Sequence, residues 1–256
     1  MILPEIEKNS INKFANELFG INSYVESLNS YAGQNYCLTD YNTGIKYVFK
    51  ISEPEENFDN LAAQNAMMHH LSKKNLPVSI PLPVKSKNHQ EIIQVPDLEE
   101  NRYMRILTFL PGKFLCDLKM HPNQLLEQWG SSLAKVDIAL KDFDHHGFRQ
   151  DHIWDFQNIP EQMHKFEFCR HAQIRKILQY YFLEYINNVD HKLKKLKKVV
   201  IHNDGNDYNL LIKSGESHPS ISGLIDFGDS VYSHHLNSIR KCKNNLAVQN
   251  SKQICA

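Results

Sequence analysis

The sequence lacks paired cysteines, long apolar runs and an excess of either charge. Its five cysteines show no C-x-x-C spacing, which argues against a disulfide framework or a structural zinc site. Lys plus Arg equals Asp plus Glu, so we expect no general attraction to nucleic acid or anionic membrane. No apolar run reaches the roughly 20 residues that span a bilayer, and the acidic, proline-containing start does not resemble a signal peptide. We therefore expect a cytoplasmic globular protein without nucleic-acid or membrane partners.

The length of 256 residues suits one large domain or two lobes. Residues 11–112 predict a first lobe with a small antiparallel sheet, one long helix over 58–75 and a hinge at its end. The predicted strands of that sheet are 23–28, 36–41, 45–52, 90–95 and 102–110. Residues 113–235 predict a mainly helical second lobe, with amphipathic helices over 122–143 and about 171–196. We therefore expect an α+β fold.

Short polar side chains crowd between two apolar runs in "VVIHNDGNDYNLLIK", residues 199–213. Asp and Asn are common in such loops because their side chains bond to nearby backbone, so an ordinary turn is one interpretation. The other is chemical, because Asp204 and Asn209 have the spacing D-x-x-x-x-N and Asp226 ends the apolar run of "LIDFGD". Carboxylate and amide oxygens suit Mg²⁺. Phosphoryl transfer needs such a metal site together with an Asp that accepts the proton of the attacking hydroxyl.

The motifs "HNDGNDYN" and "IDFGD" resemble the catalytic loop and metal-binding motif of the aminoglycoside phosphotransferase family, which has the protein-kinase-like two-lobe fold. The resemblance implies that Asp204 is the catalytic base and that Asn209 and Asp226 bind Mg²⁺. It implies a structural role for His202. Within the family, "SYAGQNY" and "YMRILTFLPG" are similar to the hydroxylysine kinase subgroup and to a kinase-like segment fused to class III aminotransferases. We expect transfer of the γ-phosphate of ATP or GTP to the hydroxyl of a small, hydroxylysine-like amino compound.

Lys50 lies in the predicted third strand, on the face opposite Tyr47, Phe49 and Ile51. A lone strand lysine is usually a solvated charge, but the resemblance implies that Lys50 binds the α- and β-phosphates of the nucleotide. The other expected nucleotide-binding residues lie in the turn "NSYAGQN" and in the hinge "LTFLPG". They are Ser30, Gly33, Gln34, Asn35, Thr108 and Leu110.

The backbone N–H groups of the turn are expected to face the β- and γ-phosphates. The hinge would offer backbone groups of Thr108 and Leu110 to the base, and an ordinary strand end is an equal alternative.

Two features depart from the family pattern. Kinase-like folds pair the strand lysine with a Glu on the next helix, and the matching position here is Gln64. The polar tail over 236–256 lacks the helical periodicity that the family shows after its metal-binding motif. We therefore expect a truncated or altered C-terminus that leaves apolar surface exposed. A catalytically impaired nucleotide-binding or interaction module is the alternative function.

Overall fold

The computed structural model describes residues 6–30, 33–96, 101–119, 122–152, 155–213 and 219–238. The chain forms two compact units. The first runs to Phe114 and also contains Leu211–Ile225, while the second contains Leu115–Leu210 and the residues from Asp226 onward. The first boundary lies close to the expected position at residue 112, but the return of Leu211–Ile225 to the first unit was not expected from the sequence. Most of the expected tail, from residue 239, lies outside the described residues.

The first unit contains an antiparallel sheet in the order β1-β2-β3-β6-β4, with β5 pairing with β6. The strands are β1 (Ser23–Leu28), β2 (Gln34–Asp40), β3 (Lys46–Ile51), β4 (Pro83–Val84), β5 (Ile93–Gln94) and β6 (Tyr103–Thr108). The predicted strand over 90–95 is shorter in the structure, where only Ile93 and Gln94 pair with β6 as strand β5. The antiparallel sheet and the helices confirm the predicted α+β class.

The two faces of this sheet are covered differently. One face buries Phe49 and Ile51 of β3 with Met104 and Ile106 of β6, and helix α1 (Lys8–Phe14) contributes Ile11 to the same core. Fully burying an aliphatic or aromatic side chain of this size contributes about 1.5–3 kcal/mol.

Helix α2 (Phe58–Ser72) contacts the opposite face of the sheet, where it accepts hydrogen bonds from Arg105 of β6. It begins after Asn57, whose side chain accepts a hydrogen bond of 2.8 Å from the backbone N–H of Asn60. Its predicted apolar stripe of Leu61, Met67, Met68 and Leu71 is buried.

A second, three-stranded sheet in the first unit has the order β10-β9-β7. Its strands are β7 (Lys113–Phe114), β9 (Leu210–Ile212) and β10 (Ile221–Leu224). Ser79 forms a parallel bridge with Gly223 of β10: its N–H donates to Ser222 O at 2.8 Å and its carbonyl accepts from Leu224 N at 3.1 Å. Residues far apart in sequence therefore attach the 211–225 segment to the first unit.

Among its described residues, the second unit contains one antiparallel strand pair and several helices. The strands are β8 (Lys198–Ile201) and β11 (Val231–His234), and Val231 lies opposite Ile201. The helices are α3 (Asn123–Ala139), α4 (Ala172–Tyr185) and α5 (His191–Leu193), and Ile186–Asp190 forms a π-helical turn between the last two. Short 3₁₀ segments lie at Leu115–Asp117, His146–Phe148, Phe156–Asn158 and Pro160–Phe168.

Helix α4 exposes an apolar stripe to solvent. Ile174, Ile177, Leu178 and Tyr181 are spaced so that they share one helix face, and their exposed fractions are 48, 56, 40 and 67%. An apolar stripe at this spacing normally packs against a neighbouring element. None of the helices in the described ranges is long and apolar enough to cross a bilayer.

Candidate active site

The predicted site residues divide between the two units. Asp204, Asn209 and Asp226 belong to the second unit, whereas Lys50 and the expected nucleotide-binding residues belong to the first. Each group has its own set of supporting contacts.

The loop that follows β8 holds both carboxylate oxygens of Asp204. Asn206 donates from Nδ2 to Asp204 Oδ1 at 3.0 Å, and Asn209 donates from Nδ2 to Asp204 Oδ2 at 2.6 Å. Asn209 Nδ2 also donates to the backbone carbonyl of Asp204 at 2.9 Å. Asp204 is half-buried, while Asn209 is buried. The two side-chain amides therefore fix the orientation of the Asp204 carboxylate.

His202 connects this loop to the "DFGD" segment. Its Nδ1 accepts a hydrogen bond of 3.3 Å from the backbone N–H of Asp204. Its ring meets Phe227 edge to face, with ring centroids 4.7 Å apart, and its backbone carbonyl accepts from Ser230 Oγ at 3.5 Å. These contacts are those of a residue that holds the loop in shape, which is the role the sequence predicts for His202.

Asp226 and Asn203 both have left-handed backbone conformations, with φ angles of 61° and 60°. Such conformations are strained for residues other than glycine, although Asn and Asp tolerate them best. Asn203 also donates from Nδ2 to the backbone carbonyl of Asp229 at 3.1 Å, which ties the two motifs together. Strained backbone of this kind concentrates at functional sites.

Helix α3 contacts the loop and helps to hold it in place. Trp129 is 1% exposed and donates from Nε1 to the carbonyl of Gly205 at 2.9 Å. A β-carbon on Gly205 would lie 2.6 Å from both terminal carbons of Leu133, so a larger residue would require the Leu133 side chain or the loop to shift. The backbone N–H of Cys116 donates to the carbonyl of Asp207 at 3.0 Å and holds the far side of the loop. Within the second unit, the loop is therefore held at Gly205 by helix α3 and at Asp207 by Cys116.

Lys50 lies on β3 between Asn35 of β2 and Arg105 of β6. Lys50 is half-buried, whereas its neighbours Phe49 and Ile51 are buried in the core. The predicted alternation along this strand is confirmed. The proposed phosphate ligand thus comes from a central strand whose register is set by pairing on both sides.

The expected phosphate-covering turn is held by its own contacts. Gly33 has a φ of 68°, and a β-carbon there would lie 2.4 Å from the carbonyl oxygen of Ile51, so only glycine fits. Its N–H donates to the Glu53 carboxylate. Asn35 donates from Nδ2 to Ser30 Oγ at 3.0 Å.

Gln34 Oε1 accepts from Tyr36 and from the backbone of Ile6, both at 3.0 Å. The side chain of Gln34 therefore serves packing around the N-terminal segment. Tyr31 and Ala32 of the turn lie outside the described residues.

The hinge residues follow the end of β6. The backbone N–H of Thr108 donates to Leu82 O, and Thr108 Oγ1 accepts from Leu82 N, each at 2.9 Å. The backbone N–H of Thr108 is therefore already bonded to Leu82. Leu110 is half-buried and lies near Gly223, where an added β-carbon would be 3.2 Å from Leu110 Cδ1. Binding of a base by Thr108 and Leu110 stays a prediction.

Several contacting residues were not identified from the sequence. Asn206 is the second residue whose side-chain amide donates to Asp204, and the sequence pattern D-x-N could have indicated this contact. His152 contacts Asp229, with Nε2 and Oδ1 3.2 Å apart, but these residues are far apart in the chain and no local pattern connects them.

The described residues contain no group of three His, Cys, Asp or Glu side chains arranged to hold a metal. The predicted ligands are instead one carboxylate, Asp226, and one amide oxygen, that of Asn209. Both hydrogen bonds from Asn209 Nδ2 go to Asp204, so its Oδ1 is the atom left to bind a cation. One or two carboxylates together with substrate phosphates are the usual protein environment of Mg²⁺. The donor types, one carboxylate and one amide oxygen, therefore fit Mg²⁺.

Comparison with known proteins gives the class. Residues 25–236 match the phosphotransferase enzyme family, APH. Hydroxylysine kinase of Mus musculus is 26% identical over 255 residues, which cover 91% of this chain and 67% of that protein. Hydroxylysine kinase of Danio rerio is 28% identical over 242 residues, covering 88% of this chain and 66% of that protein. The chain thus spans about two thirds of the length of these relatives.

Solved structures show the same fold. Amicoumacin kinase hAmiN, in complex with AMP-PNP, Ca²⁺ and Ami, has a TM-score of 0.70 at 19% identity, covering 91% of this chain and 67% of that chain. The GDP complex of wild-type aminoglycoside 2'-phosphotransferase-IIIa has a TM-score of 0.68 at 17% identity, covering 93% and 79%. The fold is therefore that of protein-kinase-like small-molecule kinases. The chain belongs to the phosphotransferase enzyme family.

Proposed function

We propose that this protein transfers the γ-phosphate of ATP or GTP to the hydroxyl of a small amino compound, with hydroxylysine as the first acceptor to test. The observation that carries the proposal is the placement of Asp204, whose two carboxylate oxygens accept hydrogen bonds from Asn206 and Asn209. The names of the curated relatives support the acceptor class. The free thiols of Cys37, Cys116 and Cys169 support a reducing cytoplasmic location.

In the proposed reaction, Asp204 accepts the proton of the acceptor hydroxyl as its oxygen attacks the γ-phosphorus. A new P–O bond forms to the acceptor, the bond from the γ-phosphorus to the β–γ bridging oxygen breaks, and ADP or GDP leaves. Lys50 binds the α- and β-phosphates, while Asn209 and Asp226 bind Mg²⁺. The metal, when bound, neutralises phosphate charge. The turn residues Ser30, Gly33, Gln34 and Asn35, and the hinge residues Thr108 and Leu110, complete the nucleotide-binding set.

A phosphotransfer screen with ATP and GTP as separate donors tests this proposal. Hydroxylysine and other hydroxylated amines or amino acids serve as acceptors, and lysine is the matched control because it lacks only the hydroxyl. We expect Mg²⁺-dependent transfer to a hydroxylated amine and none to lysine. Failure to phosphorylate any acceptor with either nucleotide would overturn the proposal.

The exposed apolar stripe of helix α4 favours a second candidate, a nucleotide-binding interaction module without transfer activity. Contiguous exposed apolar surface is a feature of protein-binding sites. Thermal stabilisation by Mg²⁺ with ATP or GTP, measured beside the transfer screen, separates the two candidates. Stabilisation accompanied by transfer supports the kinase, and stabilisation without transfer supports the module.

A further inference from the structure

We propose that Arg105 is a positioning residue for Lys50, and that Gln64 is its dedicated partner rather than a weakened version of the usual glutamate. Arg105 holds helix α2 against the face of the sheet that carries Lys50. The inference rests on the proposed function, because the position of Lys50 matters only if the protein binds a nucleoside triphosphate.

The register of the sheet places the two cations side by side. Lys50 of β3 lies directly opposite Arg105 of β6. Directly opposed residues of antiparallel strands share one face, with β-carbons about 4.5–5.5 Å apart. Like charges at this distance destabilise a strand pair. Lys50 and Arg105 are therefore neighbouring cations on one face of the sheet, so a movement of the Arg105 side chain would alter the surroundings of Lys50.

Arg105 is buried, at 4% exposure, and both terminal nitrogens of its guanidinium donate hydrogen bonds to helix α2. Nη1 donates to Asn65 Oδ1 at 2.9 Å, and Nη2 donates to Gln64 Oε1. The guanidinium is planar and presents its donors in a fixed fork, so two neighbouring acceptors on one helix fix its orientation. Lysine at this position would keep the charge but could not reproduce the two-point attachment.

The amide group of Gln64 connects Arg105 to a carboxylate. Its Oε1 accepts from Arg105, while its Nε2 donates to Glu56 Oε1 at 2.9 Å and to Asn60 Oδ1 at 2.6 Å. Gln64 is fully buried. A glutamate here would still accept from Arg105, but it would lose both donations and place a second carboxylate against Glu56. The neutral amide is therefore the side chain that this set of partners requires.

These contacts explain how the chain departs from the usual lysine–glutamate pair. In the described structure, the oxygen of Gln64 is directed to Arg105, the cross-strand neighbour of Lys50. The helix is thus fixed to the sheet one strand away from the lysine. Disturbing this attachment shifts α2 relative to β3 and changes the surroundings of Lys50. Displacements of about 1 Å in a binding group can cost roughly a hundredfold in rate.

Steady-state kinetics and binding of the Mg²⁺–nucleotide complex test the inference with the variants Arg105→Lys and Gln64→Glu. Both are expected to weaken nucleotide binding and raise the nucleotide KM about tenfold or more, with a smaller change in kcat. If Gln64 were only a weakened glutamate, Gln64→Glu would improve nucleotide binding, which is the opposite result. Glutamate and glutamine are similar in volume, so this variant also remains informative if Arg105 variants fail to fold.

The matched control is Arg102→Lys. Arg102 is equally buried, at 2% exposure, but donates from Nε to the backbone carbonyl of Ser52 at 2.9 Å instead of to helix α2. We expect Arg102→Lys to lower the melting temperature while the nucleotide KM stays within about twofold of wild type. An equal rise in KM for Arg102→Lys and Arg105→Lys would reduce the effect to general destabilisation and overturn the inference.

The outcomes also separate the inference from the proposed function. Wild-type protein that neither binds nucleotide nor transfers phosphate overturns both. Normal transfer by wild type, with an unchanged nucleotide KM in Arg105→Lys and Gln64→Glu, overturns the positioning role alone.

Discussion

Asn209 donates twice to Asp204, to its backbone carbonyl at 2.9 Å and to its carboxylate Oδ2 at 2.6 Å. One amide group therefore fixes both the backbone and the side chain of the proposed base. The same use of Nδ2 directs the other end of the amide, Oδ1, away from Asp204. The spacing D-x-x-x-x-N thus places the proposed base, Asp204, in direct contact with one of the proposed cation ligands, Asn209.

Asp204→Asn should reduce kcat by about 10²–10⁴, the range that a general base contributes, because an amide does not accept the hydroxyl proton. Nucleotide binding should change little, since the proposed phosphate and metal ligands remain. Single-turnover transfer and nucleotide affinity are the measurements. Asp144→Asn is the control, because Asp144 is exposed and pairs with Arg149. Undiminished transfer by Asp204→Asn would exclude Asp204 as the base.

Asp226→Gly and Asp226→Ala should both lose Mg²⁺-dependent stabilisation by nucleotide, but they should differ in fold stability. Asp226 has a φ of 61°, and glycine adopts this conformation without strain. The free energy of unfolding should therefore be higher for the glycine variant by about 1 kcal/mol, measured by urea denaturation without ligand.

His89→Gly controls for the backbone effect in this comparison. His89 has a similar φ of 62° and is not among the proposed site residues. It should gain stability from glycine while transfer continues. Full Mg²⁺–nucleotide stabilisation in Asp226→Ala would contradict the metal assignment.

Gly33→Ala should destabilise the first unit more than Gly44→Ala. Both glycines have left-handed φ angles, 68° and 69°, so alanine costs about 1–2 kcal/mol at either position. At Gly33 the new β-carbon would also lie 2.4 Å from Ile51 O, while Gly44 has nothing within 4 Å. Urea denaturation of the two variants measures the difference. Equal losses would show that the approach of the turn to Ile51 is loose.

Local patterns predicted much of this arrangement. Strand β1 has the predicted bounds, Ser23–Leu28. Its β-rich sequence and the turn residues beside it lie within a few positions of each other, so a local pattern indicates where the strand ends. The face of Lys50 followed from the two-residue period of a strand. The closeness of Asp204 and Asn209 could also be predicted, because both residues belong to one short loop.

Contacts between distant segments were not predictable in the same way. The pairing of Arg105 with Gln64 depends on the register of β6 against β3 and on the packing of α2, which no local pattern encodes. The return of Leu211–Ile225 to the first unit involves the bridge between Ser79 and Gly223 and the pairing of β9 with β7. Both are decided by long-range packing, where many registers share the same hydrophobic pattern.

Asp137→Asn should remove a pH-dependent loss of stability in the second unit. Asp137 is 8% exposed, and burial raises its pKa to about 7, with an opposing contribution from a hydrogen bond with Ser238. Its Oδ2 lies 3.8 Å from His235 Nδ1, but burial, followed by Lys141 and Lys197, lowers the pKa of His235, which weakens this pair.

The sign of the effect follows from proton binding. Because the folded pKa of Asp137 lies above its ordinary value of 3.8, the native protein binds more protons than the unfolded chain between these values. Stability from this group is therefore present at acid pH and decreases as the pH rises from about 4 to 7. The amide that replaces the carboxyl in Asp137→Asn stays uncharged, so the variant should exceed wild type at pH 8 by about 1–3 kcal/mol, with little gain at pH 4.

Urea denaturation at pH 4, 6 and 8 measures this difference, and Asp40→Asn is a control of opposite sign. Backbone and side-chain hydrogen bonds from Thr43 lower the pKa of Asp40. The stability that Asp40 contributes is present above its unfolded pKa and is lost as the pH falls through its folded pKa. Asp40→Asn should therefore weaken the protein at pH 8, whereas Asp137→Asn strengthens it. A destabilising effect of Asp137→Asn at pH 8 would show that the carboxylate is compensated in its buried site.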